Sequence, residues 1–221
     1  MSFIKLQNVE KTFGTTKVLQ GINLDIADRE LVAIRGASGS GKSTLLYLLG
    51  GLDVPSTGNV IINGQNLSKL SDKDLANFRN QNVGFVFQFH FLLPSMTCID
   101  NILLPARIGG GNINMKVVES DVAKLAKILG VEHCLKKFPY QLSGGEQQRI
   151  NIIRALSMRP KILLCDEPTG NLDSKNSEKV ADLLKNLAQD FGAILLVVTH
   201  DDKVAGFFPR KIVIEDGRII G

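Results

Sequence analysis

The chain has 221 residues, a net charge of +4 and 44% hydrophobic residues, which suits one large domain or two small ones with a core of ordinary size. Its longest unbroken apolar run, Ala193 to Val198, falls far short of the ~20 residues a membrane-spanning helix needs. Met1 to Lys5 lacks the apolar stretch of a secretory signal, so a cytosolic chain is expected. Cys98, Cys134 and Cys165 are odd in number and widely spaced, which suggests neither a disulfide framework nor a zinc site. The lysines are scattered rather than blocked, which reads as a solvated, mildly basic surface.

Phe3 to Leu6 and Ile22 to Ile26 alternate apolar and polar residues, so the first thirty residues read as β structure. Lys11-Thr12-Phe13-Gly14 between them reads as a turn. Phe13 could stack on an adenine ring, although the pattern by itself favours a packing residue. The apolar strand Leu31 to Ile34 then runs into Gly36-Ala37-Ser38-Gly39-Ser40-Gly41-Lys42-Ser43-Thr44, followed by the apolar helix start Leu45 to Leu49. Strand, glycine-rich loop and helix in the order G-x-x-x-x-G-K-S form a phosphate-binding loop. The glycines let backbone N–H groups turn inward, and the helix start adds free N–H groups and a positive dipole end. Lys42 is placed to meet β- and γ-phosphates, and the Ser43 hydroxyl to hold Mg²⁺. A nucleoside triphosphate is therefore the expected ligand.

Pro55 to Gly58 reads as a turn, Val60 to Ile62 as a strand, and Asn63-Gly64 as a tight turn. Ser71 to Asn80 is helix-compatible, with Ser71 as cap. Val83 to Phe87 is a buried strand ending on Gln88. From residue 89 to about 140 strand signals stop: an aromatic loop, Phe89 to Pro94, precedes a short helix over Cys98 to Leu104. A break at Gly109-Gly110-Gly111 is followed by helical spacing from Val117 to Leu129 that stops at Gly130. Ser143 opens a helix to Leu156. Ile162 to Cys165 is a strand carrying Asp166-Glu167, Ser177 to Ala188 a helix, Ala193 to Val198 a strand ending on Thr199-His200, and Lys211 to Ile214 the last strand. This alternation predicts an α/β fold with a mostly parallel sheet and its chemistry at the strands' C-terminal ends. One domain is expected, its core made from 1–88 and 157–221 and its helical insertion from 89–156.

The polar strand ends suggest roles. Asp166 can hold Mg²⁺, directly or through water. Glu167 points the other way along the strand and is the candidate for polarising the attacking water. Gln88 can coordinate Mg²⁺ or orient water. His200 can donate to the γ-phosphate, whereas His90 and His133 have no comparable context. Ser143 and Glu146 have the spacing of a capping box. Gly144 and Gly145, just inside that helix start, weaken it by roughly 1 kcal/mol each relative to alanine. Close approach of a phosphate to bare backbone would offset that cost. A second cradle in a chain that already has one suggests a nucleotide sandwiched between two copies.

With these residues in view, the motif set resembles the ATPase subunit of ATP-binding-cassette (ABC) transporters, over essentially the whole chain. Leu142 to Gln147 matches the family signature, which is far more specific than the phosphate loop. The resemblance implies a P-loop NTPase (RecA-like) core with an N-terminal antiparallel β subdomain and a helical subdomain. It makes Gln88 the Q-loop, Asp173 the D-loop, His200 the switch histidine and Phe13 the adenine-stacking residue, where the family more often has tyrosine. Leu48 to Asp53, Phe87 to Pro94 and Asp166 to Asp173 are similar to the lipoprotein-releasing branch, whose relatives serve macrolide export and cell division. The family implies ATP and Mg²⁺, a homodimer closed around two ATP, and integral membrane permease subunits. No nucleic acid is expected, and the implied location is the cytoplasmic face of a bacterial inner membrane. DNA-linked relatives carry a long coiled coil between the positions of Gln88 and Ser143, and ribosome-associated ones carry two cassettes; this chain has neither feature.

Overall fold

The computed structural model describes residues 2–109, 113–170 and 174–220. Strands β1 (Ser2–Phe13) and β2 (Thr16–Ala27) form a long antiparallel hairpin around Gly14-Thr15, with β3 (Leu31–Arg35) next in the chain. The phosphate loop leads into α1 (Lys42–Leu49), followed by β4 (Thr57–Ile62), β5 (Gln65–Asn66), α2 (Asp72–Asn82) and β6 (Val83–Phe87). Helices α3 (Cys98–Ile108), α4 (Met115–Ile128) and α5 (Gly144–Leu156) come next. The chain continues with β7 (Ile162–Asp166), α6 (Ser174–Phe191), β8 (Ile194–Val198), α7 (Asp202–Gly206), β9 (Arg210–Glu215) and β10 (Arg218–Ile219).

Two sheets result. One is antiparallel, in the order β2-β1-β4-β5. The other runs β10-β9-β3-β8-β7-β6 and is parallel except for the β9–β10 hairpin. Strands β3, β7 and β8 are apolar at nearly every position because both faces of the parallel sheet are covered. Side chains alternate across it. Val32, Ile34, Ile162, Leu164, Ile194, Leu196 and Val198 face the antiparallel sheet and α1. Leu31, Ala33, Leu163, Cys165, Leu195 and Val197 face a second core shared with α3, α4, α5 and α6. Helix α1 sits in the first core, with Leu45, Leu46, Leu48 and Leu49 at most 1% exposed, so the phosphate loop is anchored by a helix whose four leucines are all buried.

Some local expectations shift. Lys11 to Phe13 belong to β1, and the turn is the two residues after them. The strand persists because Lys11, nearly buried, donates to Asp53 at 2.6 Å and to the Val54 carbonyl at 2.9 Å. Thr57-Gly58 open β4 rather than close a turn. Helix α3 runs past Leu104 and through Pro105 to Ile108. Burial of Ile102, Leu103 and Ala106 outweighs the proline, and the Pro105 carbonyl accepts from Asn80 Nδ2 at 2.8 Å and the Gly109 amide at 3.0 Å. Helix α6 exceeds the expected Ser177 to Ala188 at both ends. Asp173 lies outside the described residues.

Candidate active site

The phosphate loop is moulded against its surroundings. Gly41, at the N-terminus of α1, has φ of 101° and makes no side-chain cap, leaving the amides of the first turn to other partners. A Cβ there would lie 2.7 Å from Leu19 Cδ2 and 2.9 Å from the Val18 carbonyl; one on Gly36 would lie 2.1 Å from the Ile214 carbonyl. Only glycine lets the loop sit this close to β2 and β9. Lys42 is buried, and its ammonium donates to the carbonyls of Gly36 at 3.0 Å and Ala37 at 2.7 Å, which holds the charge inside the loop. The Ser40 hydroxyl is buried and has no hydrogen-bond partner among the described residues.

Strand register brings the polar ends together. Phe87 pairs with Asp166, Asp166 with Val198, and Val198 with Ile34, so Gln88, Asp166-Glu167, His200 and the loop leave one sheet edge. Ser43 Oγ donates to Asp166 Oδ1 at 2.9 Å, and the Tyr47 hydroxyl donates to Oδ2 at 3.1 Å. Burial, and then the Asp166 carboxylate, push the Tyr47 phenol above its ordinary value. Glu167 Oε1 lies 2.9 Å from His200 Nδ1. The Glu167 backbone has φ of 46°, uncommon for a side-chain-bearing residue. Its amide donates to the Val198 carbonyl at 3.0 Å and its carbonyl accepts from Gly170 N at 3.1 Å, which fix that conformation. A cleft of about 480 Å³ is lined by Ser38, Gly39, Lys42, Ser43, Gln88, Glu167 and His200. Gly170 closes against Gln88, for a Cβ there would stand 2.7 Å from Gln88 Nε2.

Phe13, Thr44 and Ser143 to Gly145 are not among the residues that line this cleft. Phe13 is half-exposed at the end of β1, with the Lys11 ammonium 4.7 Å from its ring centroid. Thr44 is in the first turn of α1. Ser143 forms the capping box with Glu146: its hydroxyl accepts from the Glu146 amide, and Glu146 Oε2 accepts from the Ser143 amide at 2.8 Å. Among the described residues nothing lies within 4 Å of a Cβ on Gly144, and a Cβ on Gly145 meets Arg149 Nη1 at 3.6 Å. Packing in the monomer therefore does not demand these two glycines.

Tyr47 and a polar row on α5 belong to no motif, yet they brace the site. Gln148 Nε2 donates to the Pro168 carbonyl at 2.8 Å, and Asn151 Nδ2 to the Phe87 carbonyl at 3.4 Å. Arg154 donates to the carbonyls of His90 and Phe91, each at 2.8 Å. Burial pulls the Arg154 guanidinium below its ordinary value. The three residues recur every third position among buried isoleucines, and that spacing was the available signal. They bind the helix that starts at Ser143 to the strand ends carrying Gln88 and Glu167.

The family model described as ABC transporter matches residues 19–170. The chain belongs to the ABC transporter family. This ABC cassette is 46% identical over 217 residues to the lipoprotein-releasing system ATP-binding protein LolD of Cytophaga hutchinsonii, covering 98% of each chain. It is 44% identical to the LolD of Geobacter metallireducens, covering 99% of this chain and 98% of that one. Among solved structures it is similar to the dimeric structure of a bacterial ABC transporter cassette, with a TM-score of 0.89 and 41% identity over 99% of this chain and 97% of that one. A post-hydrolysis dimer of the same cassette, bound to ADP and Pi, gives a TM-score of 0.87 and 40% identity, again covering 99% and 97%. The chain is thus an ATP-binding ABC ATPase with the α/β cassette fold. None of the helices among the described residues is long and apolar enough to cross a membrane.

Proposed function

We propose that this ABC ATPase works as a homodimer around two ATP molecules and drives separate membrane permease subunits that release lipoproteins from a bacterial inner membrane, at whose cytoplasmic face it is held by those subunits. The observation that supports the chemistry most directly is the meeting of Lys42, Ser43-Asp166 and Glu167-His200 around one cleft. The near-identity in length and the 42–46% identity to proteins named for lipoprotein release support the cargo class.

Ser43 Oγ and Asp166 Oδ1 are hard oxygen donors 2.9 Å apart, and with the Gln88 amide they suit Mg²⁺ rather than a softer ion. Bound there, Mg²⁺ would neutralise charge on the β- and γ-phosphate oxygens. Loop amides from Gly36 to Thr44 cradle the phosphates, and Lys42 donates to them from inside the loop. Glu167 orients water and takes its proton as oxygen attacks the γ-phosphorus and the bond to ADP breaks. His200 holds Oε1 of that carboxylate and leaves Oε2 for the water. Charge stabilisation and positioning supply most of the acceleration.

Ser143, Gly144 and Gly145 of a second copy, with Asp173, complete the γ-phosphate site, and Phe13 stacks on the adenine. Residues 89–156 move against the core as the dimer closes. Phe89 and Phe91 are about two-thirds exposed beside Gln88, and Leu52, Arg79, Phe85 and Ile108 line a groove of about 340 Å³. These surfaces form the seat for a cytoplasmic helix of the permease, and Arg154 ties their loop to α5. Macrolide export and cell division are the alternatives among relatives. Affinity purification from the native membrane tests the reading. A two-chain permease whose reconstitution releases a lipoprotein upon ATP addition is expected, whereas recovery of ribosomes, nucleic acid or a different cargo overturns it.

A further inference from the structure

Behind the first turn of α5, three side chains of different chemistry converge. The 3-10 turn Glu132–Cys134 sets His133 and Cys134 against Glu146. His133 Nε2 lies 2.9 Å from Glu146 Oε1, Cys134 Sγ lies 3.3 Å from the same oxygen, and Sγ and Nε2 are 3.3 Å apart. Glu146 divides its carboxylate: Oε2 accepts from the Ser143 amide and hydroxyl, which leaves Oε1 turned to the histidine and the thiol. The Cys134 side chain is buried, that of Glu146 is 21% exposed and that of His133 is 59% exposed, so the group has a sealed floor and an open entrance.

We propose that His133, Cys134 and Glu146 form a binding site for a divalent ion of the zinc class. Zinc bonds of about 2.0 Å to nitrogen and oxygen and about 2.3 Å to sulfur, at tetrahedral angles, set the donor atoms about 3.3–3.6 Å apart. The observed triangle matches that spacing after an expansion of a few tenths of an ångström. One thiolate, one imidazole and one carboxylate oxygen select a borderline ion over Mg²⁺, which prefers oxygen alone. Three protein ligands leave a fourth position to water on the open side. Binding replaces the Cys134 thiol proton, which leaves to solvent. The ion joins the turn at His133-Cys134 to the carboxylate that caps α5, so it braces the helix start bearing Gly144 and Gly145 without displacing the cap.

Cobalt titration of the full chain, with Mg²⁺ in excess, tests the site. One ion per chain and a thiolate-to-cobalt charge-transfer band are expected, with zinc displacing the cobalt. The band should vanish in Cys134→Ser and persist in Cys98→Ser, Cys165→Ser and Lys42→Ala. His133→Ala changes an exposed side chain and leaves the fold intact by circular dichroism. It should weaken binding by more than the about 10–100-fold that follows loss of an outer-shell partner. No band in the unmodified chain, a band indifferent to His133→Ala, or one that survives Cys134→Ser overturns the proposal and leaves a hydrogen-bonded triangle only.

Discussion

Gly145→Ala separates what the isolated chain needs from what the assembled site needs. Gly145 is the second residue of α5 and its φ is not positive, so alanine fits the backbone. Among the described residues the added Cβ meets just the flexible end of Arg149 at 3.6 Å, an ordinary contact. Alanine restricts the unfolded chain and favours the helix by about 0.4–1 kcal/mol. For a chain of this length 1 kcal/mol corresponds to roughly 2–4 °C in Tm, so the nucleotide-free protein should melt about 1–4 °C higher. Nucleotide affinity at the phosphate loop should hardly change, because Lys42 and Ser43 are untouched. ATP turnover should fall at least about tenfold, or 1.4 kcal/mol of transition-state stabilisation, since the methyl group keeps a partner's phosphate from the backbone amides. Differential scanning calorimetry, fluorescent-nucleotide titration and phosphate release against protein concentration measure the three quantities. A lowered Tm, or full turnover, would refute the inference that these glycines serve a second copy.

Glu167→Gln should bind ATP yet release phosphate at least about 100-fold more slowly, and gel filtration with ATP should show a stable dimer; rapid turnover removes Glu167 from its role. Lys42→Ala and Gly145→Asp each spoil a different half-site, so mixing them should restore phosphate release that neither shows alone. Asp121→Asn breaks the paired bonds from Arg159 Nε and Nη2 at 2.6 and 2.8 Å and should cost about 1–2 kcal/mol near neutral pH, at the low end for charged hydrogen bonds because Arg159 is exposed. The Arg159 guanidinium holds the Asp121 carboxyl below its ordinary value, so this contribution is complete above the unfolded value of about 3.9 and fades as pH falls through the lower folded one. Melting curves of both proteins should therefore converge in acid, and a gap that widens on acidification contradicts the pairing.

Much of the candidate site was legible because its geometry rests on local backbone. G-x-x-x-x-G-K-S reads as a cradle wherever a strand precedes it and a helix follows. Asp166, Glu167 and His200 declared themselves by ending apolar runs at a sheet edge. Less was legible where burial overrode a local signal. Lys11 to Phe13 carry a turn-like string, yet an ion pair with Asp53 draws them into a strand. Pro105 marks a helix end, and three buried neighbours carry the helix past it. Tyr47 offered no signal, since its partner Asp166 lies 119 residues away in the chain.

Spacing and residue type along short stretches were enough to mark the phosphate loop, to place Gln88, Asp166-Glu167 and His200 at strand ends, and to raise the expectation that a second copy contributes Gly144 and Gly145. Tertiary structure alone decided how α5 reaches the strand ends through Gln148, Asn151 and Arg154. It also decided that His133 and Cys134, adjacent in the chain and without a partner by spacing, meet the free oxygen of Glu146. Such encounters depend on how the helical segment folds back on the sheet. No local propensity encodes that; it follows from burial of the core that α3, α4 and α5 share with β7 and β8.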